Sequence, residues 1–356
     1  MSALQDASAA PEGARYVAGI DGGGTSTRCW VAGLDGKVAG RGEAGPSNPR
    51  AIGLERSVGA LREAAGLALQ RAGARADDIV AVVVGLAGGA GTSVGEAVEA
   101  ALRREFTAAQ AVRVVHDARI ALAAATGGGP GIILVAGTGS VAYGMDEQGR
   151  EARAGGWGYL LGDEGSAYDI GRRAIGAVLR AADGRGPATA LARVVEAGLG
   201  SIEPPAIIDA VYSGAAPRER IARLARGVLQ AARDGDRVAE AIVRAAADEL
   251  ARLVAAVDDR LRLAPPVRAY ASGGLLAGHP GQPPAGTTPG EMAVPRDTLA
   301  HWLLEEVARR LQALRPGRDI RLEVSARPPA AGAVLLALEA VLGESARTLV
   351  PRLSAW

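Results

Sequence analysis

Short apolar runs, each closed by glycine or another turn-forming residue, mark the first third of the chain. Runs with such boundaries predict β-strands. The predicted strands of this part are residues 16–20, residues 28–34, a strand after the turn at Asp35-Gly36, residues 79–86 and residues 112–115. The run at 79–86 is apolar throughout, which is typical of a strand buried on both faces. Apolar positions at helical spacing predict helices over about 51–72 and 94–104.

The same order of elements begins again near residue 132. A strand over 132–136 is broken by the glycine turn at 137–140, and a second strand over 141–145 follows. The two openings make a weak internal repeat in architecture, not in residue identity. Residues 166–263 are helical in pattern. The remaining elements are strands over 267–271 and 320–324 and helices over about 297–314 and 329–342. Strands that alternate with helices predict an α/β fold.

Composition narrows the class of protein. A chain of 356 residues with 48% hydrophobic residues is long enough for two domains. Its net charge of +1 provides no general attraction to nucleic acid or to an anionic membrane, and no apolar run reaches the roughly 20 residues of a membrane span. Residues 1–14 read as a loose polar tail, and the Pro/Gly-rich segment 277–296 as a flexible insertion whose role is open.

Cysteine and histidine usage excludes some metal chemistry. The single cysteine, Cys29, cannot form an internal disulfide or a multi-cysteine metal site, and the three histidines lack the spacing of zinc ligands. The absence of disulfides favours the cytoplasm as the compartment.

Two glycine turns that directly follow apolar strands carry the strongest chemical signal. Glycine allows backbone N–H groups to approach phosphate oxygens closely. The first turn, residues 21–25 (DGGGT), adds the Thr25 hydroxyl, and Asp21 supplies a carboxylate where Mg²⁺ sits beside phosphates. The second is residues 137–140 (GTGS). The sequence has no Walker A loop, because Val31 stands where Gly36-Lys37 requires an earlier glycine.

Several motifs follow one another in an order that resembles a known family. They are residues 20–25 (IDGGGT), 115–117 (VHD), 136–140 (AGTGS), 155–158 (GGWG), 161–166 (LGDEGS) and 271–274 (ASGG). The chain resembles the N-acetylglucosamine kinase family, within the broader group of BadF/BadG/BcrA/BcrD-type ATPases, over about residues 16–343. The resemblance implies two ribonuclease-H-like, actin-like ATPase domains around a central cleft in which ATP and sugar meet.

The resemblance also implies boundaries for these domains. The N-terminal domain is expected over residues 15–118 and the larger C-terminal domain over residues 119–356. The last helix, at about 329–342, is expected to pack back on the N-terminal domain, although plain helix packing would explain its small residues equally well.

Asp117 is the candidate catalytic base. It follows a predicted buried strand and precedes a helix, so its carboxylate is placed to accept the proton of an attacking sugar hydroxyl. Position alone favours a helix N-cap instead, and the resemblance favours the base. His116 is interpreted as a packed neighbour.

The remaining site residues are assigned by the same resemblance. Sugar contacts are expected from Asn48, Asp117, Thr138, Gly156, Trp157, Asp163 and Ala167, and ATP contacts from Gly23, Gly24, Thr25, Thr138, Gly139, Gly273 and Gly274. Asp21 is expected to hold Mg²⁺ through water. Thr138 and Gly139 suit sugar or phosphate alike. Trp157 stands among glycines, which favours packing against a sugar ring over packing in a core. Ser166 suits an N-cap, with Asp169 as its partner three residues on.

The expected activity is ATP-dependent phosphorylation of an amino sugar, most simply N-acetylglucosamine at its 6-hydroxyl. Glucosamine and N-acetylmuramic acid remain alternative substrates, and a homodimer remains an open alternative for assembly. A dehydratase activator with a shared iron–sulfur cluster would need four ligands, which two copies of Cys29 do not supply. A sugar-sensing protein without kinase activity is the other class left open.

Overall fold

The structure, a computed structural model, describes residues 13, 15–89, 91–214, 217–278 and 298–354. The predicted tail, residues 1–14, lies outside the described residues except for Gly13. The predicted insertion, residues 277–296, lies outside them except for Ala277 and Gly278. The chain divides into two compact units. Described residues up to Gly129 and from Ala326 onward form the first, and Pro130 to Ser325 the second. The predicted boundary after residue 118 falls within the helix Asp117–Thr126, which lies in the first unit.

Ten strands and eleven α-helices are described. The strands are β1 Tyr16–Gly22, β2 Thr27–Gly33, β3 Val38–Ala44, β4 Ile79–Leu86, β5 Ala111–Val115, β6 Gly131–Ala136, β7 Ser140–Met145, β8 Glu151–Gly155, β9 Val267–Ser272 and β10 Ile320–Val324. The helices are α1 Pro49–Ile52, α2 Leu54–Ala72, α3 Ser93–Arg103, α4 Asp117–Thr126, α5 Ala167–Ala182, α6 Leu191–Leu199, α7 Pro204–Tyr212, α8 Arg218–Arg233, α9 Arg237–Leu261, α10 Leu299–Leu314 and α11 Pro329–Leu342.

The first unit contains a five-stranded sheet in the order β3-β2-β1-β4-β5. β2 runs antiparallel to both of its neighbours, and β1, β4 and β5 are parallel. All eight residues of β4 are buried, as predicted from its apolar run. One face of the sheet shares a core with α2 and α3, including Leu61 and Phe106, and the other shares a core with α4 and α11, including Ile120 and Val334.

The second unit repeats this topology. Its sheet has the order β10-β9-β6-β7-β8, which is the order of the first sheet when strands are numbered from the start of each unit. β7 is antiparallel to both neighbours, and β6, β9 and β10 are parallel. The predicted repeat is therefore confirmed at the level of strand order. Helices α5 to α10 contribute to one continuous core with this sheet.

Three elements differ from their predictions. The helix predicted over 51–72 is two helices, because Gly53 adopts φ 84° and ends α1 before α2 begins. The stretch 166–263 is divided into five helices, α5 to α9. β8 was not predicted, since only Ala152 of its five residues is fully buried and the run has no clear alternation.

The helix α11 contacts its neighbours backbone to backbone. A Cβ on Gly19 of β1 would lie 2.2 Å from the backbone nitrogen of Val334, and one on Gly332 would lie 1.9 Å from the carbonyl oxygen of Ile120 in α4. Only glycine fits either position. The stretch Pro329–Leu349 has the length and mean hydropathy, 1.3, of a membrane span, but half of it is buried, and the apolar residues of α11 fill the core of the first unit.

This contact leads to a test of packing. Gly332→Ala forces a methyl group against a backbone carbonyl. We therefore expect the free energy of unfolding to fall by about 1–3 kcal/mol or more, the size typical of overpacking. Gly66→Ala, on the exposed face of α2 with open space around it, is the control and should stabilise by about 0.5–1 kcal/mol. Denaturant unfolding of both variants checks the opposite signs; equal effects would contradict the packing described.

Candidate active site

Two carboxylates lie at the same edge of the first sheet. Asp21 is near the end of β1, where it pairs with Gly85 of β4, and Gly85 pairs with Val115 at the end of β5. Asp117 follows two residues later as the first residue of α4. Because adjacent strands are about 4.8 Å apart, Asp21 and Val115 lie about 10 Å apart across the sheet. The carboxyl ends of parallel strands are where ligands bind in α/β folds.

The charge of Asp117 acts on the carboxyl group of Asp21. Burial, and then the negative charge of Asp117, raise the pKa of Asp21 to about 7, although Arg28 acts in the opposite direction. A carboxyl group perturbed in this way, beside a second carboxylate, is characteristic of functional sites. A cation between or beside these groups would relieve the repulsion and favour ionised Asp21.

His116 and Asp117 begin α4 together. His116, not Asp117, is the N-cap: its Nδ1 atom accepts from the N–H group of Ala118 at 3.1 Å. The same N–H group lies 2.9 Å from Oδ1 of Asp117, and Nδ1 of His116 lies 2.7 Å from that oxygen. The Asp117 side chain is one-third exposed, so its carboxylate is accessible. Asp117 is thus the first residue of α4 rather than its N-cap, and its carboxylate also accepts from the Ala118 N–H group.

The first glycine turn and Asn48 lie in the first unit. Within the turn, the N–H group of Gly23 donates to the carbonyl of Ser26 at 3.1 Å, while Gly24 and Thr25 are exposed. Asn48 is the N-cap of α1, and its side-chain oxygen accepts from the N–H group of Arg50 at 3.0 Å.

A third glycine-rich loop, with residues 87–89 and 91–92 described, follows β4 and was not singled out from the sequence. A Cβ on Gly88 would lie 3.0 Å from Oδ1 of Asn48, and Nε of Arg50 donates to the Gly88 carbonyl at 2.9 Å. The loop therefore lies against a predicted sugar ligand. Its signal in the sequence was the same as that of the other two turns: an apolar strand followed directly by glycines.

The second glycine turn is fixed by the loop that precedes α5. The Ala167 N–H group donates to the carbonyl of Gly137, and the Gly156 N–H group to that of Ser140, each at 2.9 Å. The Ser140 hydroxyl donates to the carbonyl of Glu164 at 2.7 Å. In the second unit the structure thus brings together the predicted residues of the turn and of the loop 155–167. Thr138 in this turn is half-buried.

Gly273 closes the other side of this turn. It has φ 91°, and a Cβ there would lie 2.4 Å from the carbonyl oxygen of Ala136 at the end of β6. A Cβ on Gly137 would lie 3.8 Å from the backbone nitrogen of Gly274, so the predicted ATP residues of the two segments are neighbours. The close approach to Ala136 is by itself a structural reason for Gly273.

Trp157 lies on the surface of its unit. Its side chain is 60% exposed, and the guanidinium of Arg153 lies 4.5 Å from the centre of its ring. Leu160 and Leu161, in the same loop, are each at least 80% exposed. An aromatic side chain with one occupied face and such exposure is not a core residue.

Asp163 is a buried carboxylate with an arginine partner. Asp163 is buried, adopts φ 60°, and pairs with Arg218, whose Nη2 atom lies 2.8 Å from its Oδ2. Burial raises its pKa, while Arg218 and the N–H groups of Ser140 and Gly158 act in the opposite direction. The sequence did not indicate Arg218, which lies 55 residues away in a helical stretch rich in arginine.

Ser166 is confirmed as the N-cap of α5, and Asp169 supports it. The Ser166 hydroxyl accepts from the Asp169 N–H group at 3.2 Å. The Asp169 carboxylate, buried, accepts from the Gly165 N–H group and from Arg172 and Arg173. Burial opposes ionisation, but the hydrogen bonds from Arg173, Gly165 and Arg172 outweigh it and hold the pKa of Asp169 below its ordinary value.

The Asp169 cluster predicts a pH-dependent contribution to stability. A depressed pKa stabilises the folded state above the ordinary value near 3.9, and this contribution is lost as pH falls through the folded-state pKa. Asp169→Asn should therefore destabilise by about 1–3 kcal/mol at pH 7 and by much less at pH 2–3. Urea unfolding at both pH values checks this. Asp209→Asn, at an exposed position, serves as control; a loss that is independent of pH would contradict the ionic origin.

The protein has the actin-like ATPase fold, the class of the sugar kinases. Three features define it: two sheets of identical strand order, carboxylates at strand ends, and glycine turns after buried strands. A solved structure from Chromobacterium violaceum, provisionally assigned as an N-acetylglucosamine kinase, matches with a TM-score of 0.70 and 28% identity over 91% of this chain and 99% of that chain. Residues 18–279 match the BadF/BadG/BcrA/BcrD ATPase family, and the chain belongs to that family.

Two curated relatives are similar in sequence. An N-acetylmuramic acid/N-acetylglucosamine kinase of Clostridium acetobutylicum is 37% identical over 249 residues, which cover 70% of this chain and 81% of that protein. Glucosamine kinase GspK of Vibrio cholerae is 34% identical over 180 residues, which cover 51% of this chain and 60% of that protein.

Proposed function

We propose that the chain is an ATP-dependent kinase that transfers the γ-phosphoryl group of ATP to an amino sugar, with N-acetylglucosamine as substrate and its 6-hydroxyl as acceptor. The observation that carries the proposal is the pair of carboxylates at one sheet edge, in which the charge of Asp117 contributes to raising the pKa of Asp21 to about 7. The two groups have different surroundings and suit different roles.

Asp117 suits the role of general base. Its carboxylate is partly exposed at the start of α4, and its backbone is fixed by the helix. From there it accepts the proton of the sugar hydroxyl as that oxygen attacks phosphorus. Such a base contributes about 10²–10⁴-fold to the rate. His116 beside it, whose Nδ1 atom lies 2.7 Å from one carboxylate oxygen, is interpreted as a packed neighbour rather than a second base.

Asp21 fits the site of a magnesium ion that arrives with the nucleotide. Among the described residues no group of three or more His, Cys, Asp or Glu side chains is placed to hold a metal, and an ion held by Asp21 would share its coordination with phosphate oxygens and water. A half-buried carboxylate whose ionised form is disfavoured is stabilised by such an ion. Bound Mg²⁺ neutralises charge on the transferring phosphoryl group.

The glycine turns suit the phosphates, and the loop 155–167 suits the sugar. Gly24 and Thr25 are exposed at the tip of the first turn, so their N–H and hydroxyl groups are accessible donors. Asn48, Thr138, Gly156, Trp157, Asp163 and Ala167 are the proposed sugar residues, and Gly23, Gly24, Thr25, Thr138, Gly139, Gly273 and Gly274 the proposed nucleotide residues.

The state of the Asp163 carboxylate, which faces the second glycine turn, favours an acetylated amino sugar over a free amine at that position. A protonated amine would prefer a free carboxylate, whereas Asp163 is already paired with Arg218. N-acetylmuramic acid, phosphorylated by the Clostridium acetobutylicum relative as its name states, is the second candidate substrate.

Release of ADP, measured over a panel of acetylated and free amino sugars, tests the proposal. No stimulation by any sugar would refute it.

The activator interpretation has little support. Cys29 is buried in β2, and burial raises the pKa of its thiol to about 12, so it is neither accessible nor inclined to form the thiolate that a cluster requires. An iron assay of freshly isolated protein distinguishes this class from a kinase.

Replacement of the base gives the sharpest test of mechanism. Asp117→Asn keeps the size of the side chain but removes its basicity, so we expect kcat to fall by about 10²–10⁴-fold while the Kd for ATP changes little. Steady-state assays and nucleotide titration measure the two effects. Asp209→Asn, on α7 of the other unit, should retain wild-type turnover. Retained activity in Asp117→Asn would exclude this residue as the base.

Trimming Trp157 tests the proposed sugar loop. Trp157→Ala should raise the KM for the sugar by an amount equivalent to about 1–3 kcal/mol, because packed apolar contact is lost, and should leave the KM for ATP nearly unchanged. Because Trp157 is exposed, its replacement should not unfold the protein. Initial rates over a grid of both substrates measure the effect. If both KM values rise equally, the sugar pocket lies elsewhere.

A further inference from the structure

Arg218, the first residue of α8, has no role in the function proposed so far. Its Nη2 atom lies 2.8 Å from Oδ2 of Asp163, and its side chain is 29% exposed against 5% for that of Asp163. The guanidinium carbon also lies 5.2 Å from the ring centre of Tyr159, which makes an edge-to-face contact with Tyr168 at 5.2 Å between ring centres. One cation therefore contacts both an acid and an aromatic ring of the loop 155–167.

The second glycine turn rests on this ion pair. A Cβ on Gly139 would lie 2.8 Å from Oδ2 of Asp163 and 2.9 Å from Nη2 of Arg218. The Ser140 N–H group lies 3.4 Å from the other oxygen of Asp163. Three segments distant in sequence, namely the turn 137–140, the loop 155–167 and the start of α8, thus meet at a single carboxylate.

The backbone of Asp163 requires such support. Its φ of 60° lies in the left-handed region, which residues other than glycine rarely adopt and which persists only where the surroundings hold it. The hydrogen bond with the Gly158 N–H group and the ion pair with Arg218 both act on its side chain. Arg218 is the charged partner of this carboxylate, and the N–H groups of Ser140 and Gly158 are its backbone partners.

We propose that Arg218 is a positioning residue of the amino-sugar site, which acts through Asp163 by holding its carboxylate ionised and directed at the second glycine turn. The role of Asp163 toward sugar rests on the proposed function. The geometry of Arg218 and Asp163 does not depend on it, so the inference has a test that needs no substrate.

The charges around Asp163 support this role. Burial raises its pKa, and the charge of Glu164 on the same loop adds to the increase. Arg218 from α8 is the cation that opposes both, together with the N–H groups of Ser140 and Gly158. Loss of Arg218 should therefore raise the pKa of Asp163 further, by about one unit or more, since an adjacent opposite charge has an effect of that size. A protonated carboxyl accepts fewer hydrogen bonds from sugar hydroxyls.

Three variants separate positioning from a merely structural role. Arg218→Met removes the charge and keeps much of the apolar stem, and Arg218→Lys keeps the charge but loses the planar fork. Arg223→Met, on the exposed face of the same helix, is the matched control because its guanidinium contacts only the Glu219 carbonyl in the described structure. Thermal unfolding of each variant shows whether it remains folded.

The first measurement is the titration of the Asp163 carboxyl carbon by ¹³C NMR in the protein without ligands, assigned by comparison with Asp163→Asn. We expect the midpoint in Arg218→Met to lie about one pH unit or more above wild type, and Arg218→Lys and Arg223→Met to remain near wild type. An unchanged midpoint in folded Arg218→Met would overturn the proposal.

The second measurement is kinetic. Arg218→Met should raise the KM for N-acetylglucosamine by about tenfold and change the KM for ATP by less than about twofold, with partial recovery in Arg218→Lys. Equal changes in both KM values would mean that Arg218 only stabilises the unit. If the wild-type protein phosphorylates no sugar, the proposed function fails, and the NMR titration still decides whether Arg218 controls Asp163.

Discussion

The close backbone packing of α11 is the constraint on which the first unit depends. Gly19 lies two residues before Asp21, and Ile120 lies three residues after Asp117. Because α11 touches the backbone at both points, one helix sets the positions of the two elements that carry these carboxylates. A substitution far from the carboxylates in sequence, at Gly332, therefore acts on the geometry of the sheet edge.

The two units use one topology for different purposes. The first presents Asp21 and Asp117 at its sheet edge, together with an exposed glycine turn. The second has no equivalent acid pair among the predicted site residues; its one buried acid there, Asp163, is neutralised by Arg218. In the proposed function, proton transfer and metal binding therefore fall to the first unit, and the loop 155–167 of the second unit contacts the sugar.

Much of the fold was predictable because most strands are short apolar runs followed by glycine or another turn residue. Their positions along the chain and the repeat of the opening elements therefore follow from the sequence. β8 and the divisions between α5 and α9 were not, since weak amphipathic signals cannot locate loop boundaries. In the site, Asp117 and the glycine turns stand out because they follow strands. Arg218 does not, because an ion pair formed across 55 residues depends on tertiary packing, which local pattern cannot reveal.

The return of the chain to the first unit has a consequence for folding during synthesis. The described residues between Pro130 and Ser325 form the second unit, whereas the first unit needs α11, which is made some 200 residues after α4. During synthesis on the ribosome, the apolar face of β1 and β4 stays uncovered until α11 has emerged. All the elements that form the core of the second unit have emerged before then. The nascent first unit therefore exposes apolar surface for longer than the second unit does.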